Sequence, residues 1–143
     1  FSIHQIFLDG LYAVSPIVRD YRRIPEIIRY QKFLGKEYKR AFERFRNDTN
    51  LTVREVRYIA NVYSYLVKQS LRNLDELLMV ITASRLRMSD EERLQAIDNI
   101  FYSMEEKVAF LIHFNNSTGA LIVQRAKSKR DINTTRKLYE LTP

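Results

Sequence analysis

The sequence predicts an all-α fold, an antiparallel bundle of three long helices with short flanking helices at the N- and C-terminal ends. Two capping boxes divide the chain into three runs of similar length, and each run carries apolar residues at helical spacing. Only three glycines and three prolines occur in 143 residues, so few positions interrupt a helix. This length suits one domain, spanning residues 1–143, with a substantial hydrophobic core.

The first long run carries an apolar stripe at steps of three and four residues, which is typical of an amphipathic helix. Pro16 suits a first helical turn, where its missing N–H would have no partner. Pro25 predicts either a kink or a short helix separated from the main one. Residues 1–15 hold a short amphipathic segment that we expect to pack across the bundle. The stripe consists of Ile17, Tyr21, Ile24, Ile28, Leu34, Tyr38, Phe42 and Phe45.

Capping boxes mark the starts of the second and third runs. Thr52 with Glu55, and Ser89 with Glu92, each place a hydroxyl at the N-cap and a carboxylate three residues later. In this arrangement the two residues satisfy each other's unpaired backbone N–H groups. The links before the boxes are only a few residues long, and short links between long helices favour antiparallel neighbours.

Apolar stripes predict the buried faces of the second and third runs. Residues 115–119 are poor helix formers, and they predict either a polar weak point within one continuous helix or a break. Asp131 is placed to cap a final short helix. The second stripe consists of Val56, Ala60, Tyr63, Val67, Ser70, Leu74, Leu77 and Ile81. The third consists of Leu94, Ile97, Phe101, Met104, Val108 and Leu111.

The sequence shows no pattern of catalytic or metal-binding residues. It has no cysteine, and its two histidines, His4 and His113, lack the neighbours that a metal site requires. It has no glycine-rich phosphate loop and no nucleophile motif. No apolar run reaches the roughly 18–20 residues that cross a bilayer. The sequence therefore predicts a non-enzymatic protein with no cofactor and no metal.

Positive charge is concentrated in two segments. Residues 19–46 carry ten Lys or Arg against four acids, and residues 125–137 carry six against one. The simplest interpretation of the basic face in the first segment is the solvated side of a helix. The alternatives are contact with an acidic protein or an anionic membrane surface, and contact with nucleic acid, whose bases would stack on Tyr30 and Phe33. The basic face consists of Arg29, Lys32, Lys36, Lys39 and Arg40.

The aromatic residues divide into a core set and a surface set by their positions relative to the stripes. Tyr58, Tyr65 and Tyr102 fall off the stripes. Because tyrosine makes contacts at low entropic cost, these three predict an interface patch. The aromatics predicted to lie in the core are Phe42, Phe45, Tyr63, Phe101 and Phe110.

Several segments of the chain resemble one family. Phe1-Ser2-Ile3-His4, Phe7, Leu11, Val14 and Pro16 resemble an opening pattern of the type F-x-L-H-x-x-F-F-x-S-L-x-x-V-N-P. Four further segments of the chain resemble the later blocks of the same family. They are Leu74-Asp75-Glu76-Leu77, Val80-Ile81-Thr82-Ala83, Met88-Ser89-Asp90-Glu91-Glu92-Arg93 and Val123-Gln124-Arg125-Ala126. Through these segments, which span nearly the whole chain, the sequence resembles the TraI-type proteins of conjugative transposons and plasmids in Bacteroidota. Leu8, Gly10 and Ser15 depart from the pattern.

The resemblance implies a non-enzymatic component or accessory of a conjugative, type IV secretion-like apparatus, which acts through contacts with other proteins of that apparatus. It also implies a location in the cell envelope or periplasm, reached through a signal that precedes this trimmed part of a longer protein. A cytoplasmic location is the alternative. Two other functions remain open, a nucleic-acid-contacting accessory that uses the basic face and a tellurite-resistance-like helical stress domain.

Overall fold

The computed structural model describes residues 14–82 and 87–140, and every regular element among them is an α-helix. The helices are α1 (Pro16–Arg19), α2 (Arg23–Phe45), α3 (Val53–Ile81) and α4 (Asp90–Glu140). The three long helices pack together, with α4 against both α2 and α3, and α2 against α3. The predicted all-α fold with three packed long helices is therefore confirmed.

A short helix precedes the first long helix, and each of the two has a proline in its first turn. Ser15 is the N-cap of α1, and Pro16 occupies its first turn. The chain then turns through residues 20–22, and α2 begins at Arg23. Pro25 therefore lies in the first turn of α2, where a backbone N–H has no partner within the helix. Of the two alternatives for Pro25, separation of a short helix is confirmed.

Both capping boxes form at the predicted positions. The Glu55 backbone N–H donates to Thr52 Oγ1 over 3.1 Å, and the Thr52 N–H donates to Glu55 Oε1 over 2.9 Å. Ser89 and Glu92 exchange the same pair of hydrogen bonds, at 3.1 and 3.0 Å. Because α3 begins directly after Thr52 and α4 directly after Ser89, these local bonds fix where the helices start.

The buried face of α3 is wider than the predicted stripe. A second heptad column lies beside it, because α3 packs against two neighbouring helices and one column of residues covers only one contact. The added buried residues of α3 are Ile59, Leu66, Asn73 and Val80. On α2, Ile27 and Ala41 are also buried, whereas Ile17 of α1 is exposed.

The prediction that Phe110 lies in the core is wrong. Its side chain is 46% exposed, while the neighbouring Leu111 is fully buried between the helices. One residue is a rotation of about 100° along a helix, and here this rotation turns Phe110 out of the face that buries Leu111. Phe110 instead faces the outer surface between α3 and α4.

Side-chain contacts establish that α3 and α4 run in opposite directions. Glu55 contacts Arg125, Tyr63 contacts Asn115, and Asn73 contacts Ser103. The α4 partner therefore comes earlier in the chain as the α3 residue comes later. Tyr21 and Tyr30, by contrast, hydrogen bond to Asp98 and Glu105 in the same order, so α2 and α4 run in the same direction.

Helix α4 continues without a break from Asp90 to Glu140. Residues 115–119 lie inside it, so the continuous-helix alternative is confirmed. The Tyr63 hydroxyl donates a hydrogen bond to Asn115 Oδ1 in this stretch. The prediction that Asp131 caps a separate C-terminal helix is wrong, because Asp131 lies within α4. No glycine or proline occurs between residues 120 and 142 to end the helix. The amphipathic segment predicted in residues 1–15 lies almost wholly outside the described residues.

Candidate interaction surfaces

The basic face of α2 is exposed along its whole length. All five of its side chains are exposed, and their positions fall within an arc of about 100° around the helix. Arg40 Nη1 lies 3.1 Å from Glu37 Oε1, so one of the five is paired within the helix. Tyr30 does not lie ready to stack on a base, because its ring packs 5.5 Å from that of Phe101 and its hydroxyl donates to Glu105.

The last part of α4 leaves the bundle as an exposed helix. Every side chain from residue 127 to 140 is exposed, and we call this segment the tail. Its root lies beside the α2–α3 loop, since Lys129 Nζ donates to the Thr49 carbonyl over 3.4 Å. At 1.5 Å per residue, residues 130–140 extend about 16 Å beyond this contact.

The root of the tail is held by an ion pair that the sequence analysis did not predict. Arg125 Nη1 and Nη2 donate to Glu55 Oε1 and Oε2 over 2.6 and 2.9 Å, in a bidentate geometry. Arg125 Nη1 also donates to the Asn50 carbonyl over 2.9 Å. The Arg125 guanidinium, together with the Thr52 backbone N–H, lowers the pKa of Glu55 to about 2. The two partners lie 70 positions apart, and no local sequence signal connects them.

The fold brings the last part of the first basic segment, residues 36–46, and the second basic segment to one end of the molecule. Residues 36–60 and 114–140 form the half that contains the α2–α3 loop and the tail, and they carry thirteen Lys or Arg against six acids. In the rest of the described chain, ten basic residues balance ten acids. The net charge of +7 therefore belongs to the first half, which we call the basic pole. Such a pole attracts polyanions and anionic surfaces.

A groove of about 540 Å³ runs along the outer surface between α3 and α4. Leu66 and Val62 contribute apolar side chains, and Tyr65 and Phe110 stand exposed at its sides. Ser103 lines both this groove and a second recess of about 400 Å³ toward the end of α3, so the two adjoin at this residue. The groove is lined by Asn61, Val62, Tyr65, Leu66, Gln69, Ser103, Glu106, Lys107 and Phe110.

Lys107 gives the groove a charged, hydrogen-bonded side. Its Nζ donates to Ser103 Oγ over 2.7 Å and to the Ser103 carbonyl over 3.4 Å. Burial lowers the pKa of Lys107, and the carboxylates of Glu76 and Glu106 oppose this effect. The groove thus combines an apolar floor with a polar edge, as in sites where proteins bind amphipathic helices.

The three surface tyrosines do not form one patch. Tyr65 lines the groove opposite Phe110, and Phe110 stacks on Phe114 at 5.8 Å. Tyr58 contacts Phe114 at 6.3 Å, so it extends the same aromatic row. Tyr102 lies on another side of α4, toward α2, under the guanidinium of Arg23 at 4.9 Å.

Arg23 organises a polar cluster between α2 and α4. Its guanidinium carbon lies 4.2 Å from the centre of the Phe101 ring, and its Nε lies 3.5 Å from Asp98 Oδ1. The Tyr21 hydroxyl donates to the same Asp98 oxygen, and this hydrogen bond raises the pKa of Tyr21. The cluster therefore joins the two helices, and Tyr102 belongs to it.

The described residues contain no group of three or more acidic, histidine or cysteine side chains placed to hold a metal ion. His113 is exposed, whereas His4 lies outside the described residues. None of the described helices combines the length and the hydropathy that crossing a bilayer requires. No protein family, no curated protein and no solved structure matches the chain.

Proposed function

We propose that this protein is a non-enzymatic component or accessory of a conjugative, type IV secretion-like transfer apparatus, and that it works in the cell envelope through contacts with other proteins. The observation that carries the interaction role is the exposed aromatic and apolar groove between α3 and α4. The resemblance to TraI-type proteins supports the link with conjugation. The scaffold that carries this groove is an antiparallel bundle of three long helices.

The composition of the groove favours a protein partner. Tyr65 is 67% exposed and Phe110 is 46% exposed, so both rings hold apolar area in contact with water. Covering such rings releases that water, and aromatic side chains dominate the energy of many protein interfaces. Glu106 and Lys107 provide charges at the edge that orient a partner.

The experiment that tests this function is complementation of a conjugative donor strain from which the gene has been deleted. We expect the deletion to lower transfer frequency and the wild-type protein to restore it. Tyr65→Asp with Phe110→Asp should fail to restore transfer, because two carboxylates in an apolar groove oppose docking. The matched control is Ile17→Asp with Val123→Asp, which changes two exposed apolar residues outside the groove.

Circular dichroism and denaturation of the purified variants show whether the fold is intact. An unchanged transfer frequency after deletion would refute the link with conjugation. Full transfer by the folded groove variant would refute the role of the groove.

The basic pole favours a second candidate function, contact with nucleic acid, which would suit a cytoplasmic location. Thirteen basic residues lie in this half, and the tail presents several of them on an exposed helix. Neutralised phosphates release counterions, so such contact would weaken steeply as salt rises. The same pole also suits an acidic protein or an anionic membrane surface.

A further inference from the structure

The basic residues of the tail form two rows along one side of its helix. Lys129 and Arg136 lie seven residues apart, and so do Arg130 and Lys137, which is about two turns. At about 100° per residue, the members of each row differ by only about 20° around the helix axis, and the two rows stand about 100° apart. Asn133 lies between the rows, about 40–60° from each. Four of the five basic residues of the tail therefore share an arc of about 120°.

This arc lies on a part of the molecule that a large partner can reach. Every side chain of the tail is exposed. Lys129 Nζ donates to the Thr49 carbonyl, so the arc is turned over the end of the bundle that carries the α2–α3 loop. Residues 130–140 extend about 16 Å beyond this contact. A rod-shaped partner can therefore lie in the angle between the tail and the loop.

The dimensions of the tail match the major groove of duplex DNA. An α-helix with its side chains is about 10–12 Å across, and the major groove of B-form DNA is about 12 Å wide. The part of the tail beyond the loop has about three turns. When such a helix lies in the groove, cations on its two flanks face the phosphates of the two strands. Two basic rows with the short polar side chain of Asn133 between them suit this arrangement.

The same arc lacks the features that a protein partner requires. The centres of protein interfaces are rich in apolar and aromatic side chains and poor in charge. Between the two basic rows lie only Asn133 and Glu140, which are both polar. The charge of the arc therefore complements a polyanion better than a folded protein surface.

The tail also lacks the continuous apolar face with which a helix enters a membrane surface. Its large apolar side chains are Ile132, Tyr139 and Leu138. Ile132 and Tyr139 lie about 20° apart, but Leu138 lies about 100° or more from both. Thr135 and Asp131 fall in the space between Tyr139 and Leu138, so polar side chains interrupt this side of the helix. Among polyanions, the tail therefore fits nucleic acid better than an anionic membrane.

We propose that the tail binds duplex DNA by lying in its major groove, with the two basic rows against the phosphates of the two strands. The proposal rests on the second candidate function, contact with nucleic acid, and gives that contact a site. It does not involve the α3–α4 groove. Because the cations contact phosphates and not base edges, the binding does not depend on the DNA sequence.

Removal of charge from the tail tests the contact with phosphates. Fluorescence anisotropy of a labelled 20-base-pair duplex with the full 143-residue chain gives the affinity at several salt concentrations. We expect micromolar binding at about 50 mM salt. Arg130→Gln, Arg136→Gln and Lys137→Gln together should weaken it about tenfold or more, and should reduce the slope of log affinity against log salt by about 2.7.

The matched control removes the same charge from exposed positions outside the basic pole. It combines Lys68→Gln, Arg72→Gln and Arg87→Gln, and it should change the slope by less than about one. Circular dichroism shows whether both variants keep their helices. Equal losses of slope in the two folded variants would refute the tail as the site.

Comparison of DNA with RNA tests the position in the major groove. The major groove of an A-form RNA duplex is deep and narrow, and protein side chains cannot read it. We expect the protein to bind a DNA duplex several-fold more tightly than an RNA duplex of the same sequence at the same salt. Asn133→Pro keeps every charge but breaks the helix, so it should abolish this preference, whereas Asn133→Ala should retain it. Equal affinities of the wild-type protein for the two duplexes would refute the major-groove position.

The tail proposal and the functions proposed above fail separately. DNA binding that the tail variant leaves intact refutes the tail site and leaves the second candidate function standing. Absence of DNA binding at about 50 mM salt refutes both, and the role of the α3–α4 groove still depends only on complementation. If the protein binds vesicles of phosphatidylglycerol through the tail and does not bind DNA, the proposal is refuted in favour of an anionic membrane surface.

Discussion

Glu55 takes part in a local interaction at the start of α3 and in a long-range interaction with α4. Its carboxylate accepts the Thr52 N–H as part of a capping box, and it also accepts both Nη atoms of Arg125. The first contact starts α3, and the second fixes the root of the tail to the bundle. One carboxylate therefore couples a helix start to the place where α4 leaves the bundle.

The pKa of Glu55 predicts how its contribution depends on pH. Folding lowers this pKa from 4.5 to about 2, so the folded state favours the ionised carboxylate. The contribution is complete above the unfolded-state value and is lost as the pH falls toward 2. We expect Glu55→Gln to lower the free energy of unfolding at pH 7, and the difference from wild type to narrow between about pH 5 and pH 2.

Urea denaturation of both proteins across this pH range measures the effect. Glu43→Gln is the matched control, because Glu43 is exposed and lies 3.8 Å from Arg46 in a loose pair. A difference between wild type and Glu55→Gln that stays constant from pH 7 to pH 2 would contradict the assignment.

Residue contacts could be predicted from the sequence only where the partners are close along the chain. The capping boxes of Thr52 and Ser89 were predictable because their partners lie three residues away. The ion pair of Arg125 with Glu55 was not, and neither was the hydrogen bond from buried Arg93 to the Val80 carbonyl near the end of α3. Such contacts depend on the register between helices, which periodicity does not specify.

Glycines within the long helices lower stability without a steric need for glycine. Neither Gly35 nor Gly119 has a positive φ, and a Cβ built on each meets no atom within 4 Å. Alanine in these positions reduces the entropy that folding costs the backbone. Gly35→Ala and Gly119→Ala should therefore each raise the free energy of unfolding by about 0.5–1 kcal/mol.

Chemical denaturation of the single variants and of the pair tests this expectation. The sites lie on different helices, so their effects should add within a few tenths of a kcal/mol. If Gly119→Ala instead lowered the free energy of unfolding, α4 would bend at this position in solution and would use the backbone freedom of glycine.

Two apolar residues that the sequence predicted to be buried, Leu74 and Phe110, differ in burial in the structure. Leu74 is buried, so Leu74→Ala should cost roughly 2–5 kcal/mol of unfolding free energy. Phe110 faces the groove, so Phe110→Ala should cost less than Leu74→Ala, although it removes a larger side chain. If urea denaturation gave an equal or larger loss of unfolding free energy for Phe110→Ala, Phe110 would be a core residue.

Helical spacing predicted each long helix but not the full width of its buried face. A stripe of one column describes contact with one neighbour, whereas α3 contacts two, and Ile59 and Val80 line the added column. The end of α4 was missed for a related reason. Asp131 resembles a cap in sequence, but nothing near it breaks the helix, so α4 continues into solvent.

At the scale of the whole molecule, the fold turns a modest excess of basic residues into a pole. The sequence shows that residues 19–46 and 125–137 are basic, but not that the α2–α3 loop and the tail lie together. That proximity follows from α2 and α4 running in the same direction. The nucleic-acid alternative depends on this charge polarity.

The last prediction concerns binding of nucleic acid by the basic residues. We expect the protein to bind duplex DNA weakly and without sequence preference at low salt, with log affinity falling linearly in log salt. Lys32→Glu, Lys36→Glu and Lys39→Glu together should reduce the salt slope by up to about three, since each phosphate contact contributes about 0.9. Lys68→Glu, Arg72→Glu and Arg87→Glu make the same charge change at exposed positions away from the basic face of α2 and should reduce it less. Fluorescence anisotropy at several salt concentrations measures both slopes. A saturable submicromolar complex at physiological salt would instead favour nucleic acid over protein as the partner of this molecule.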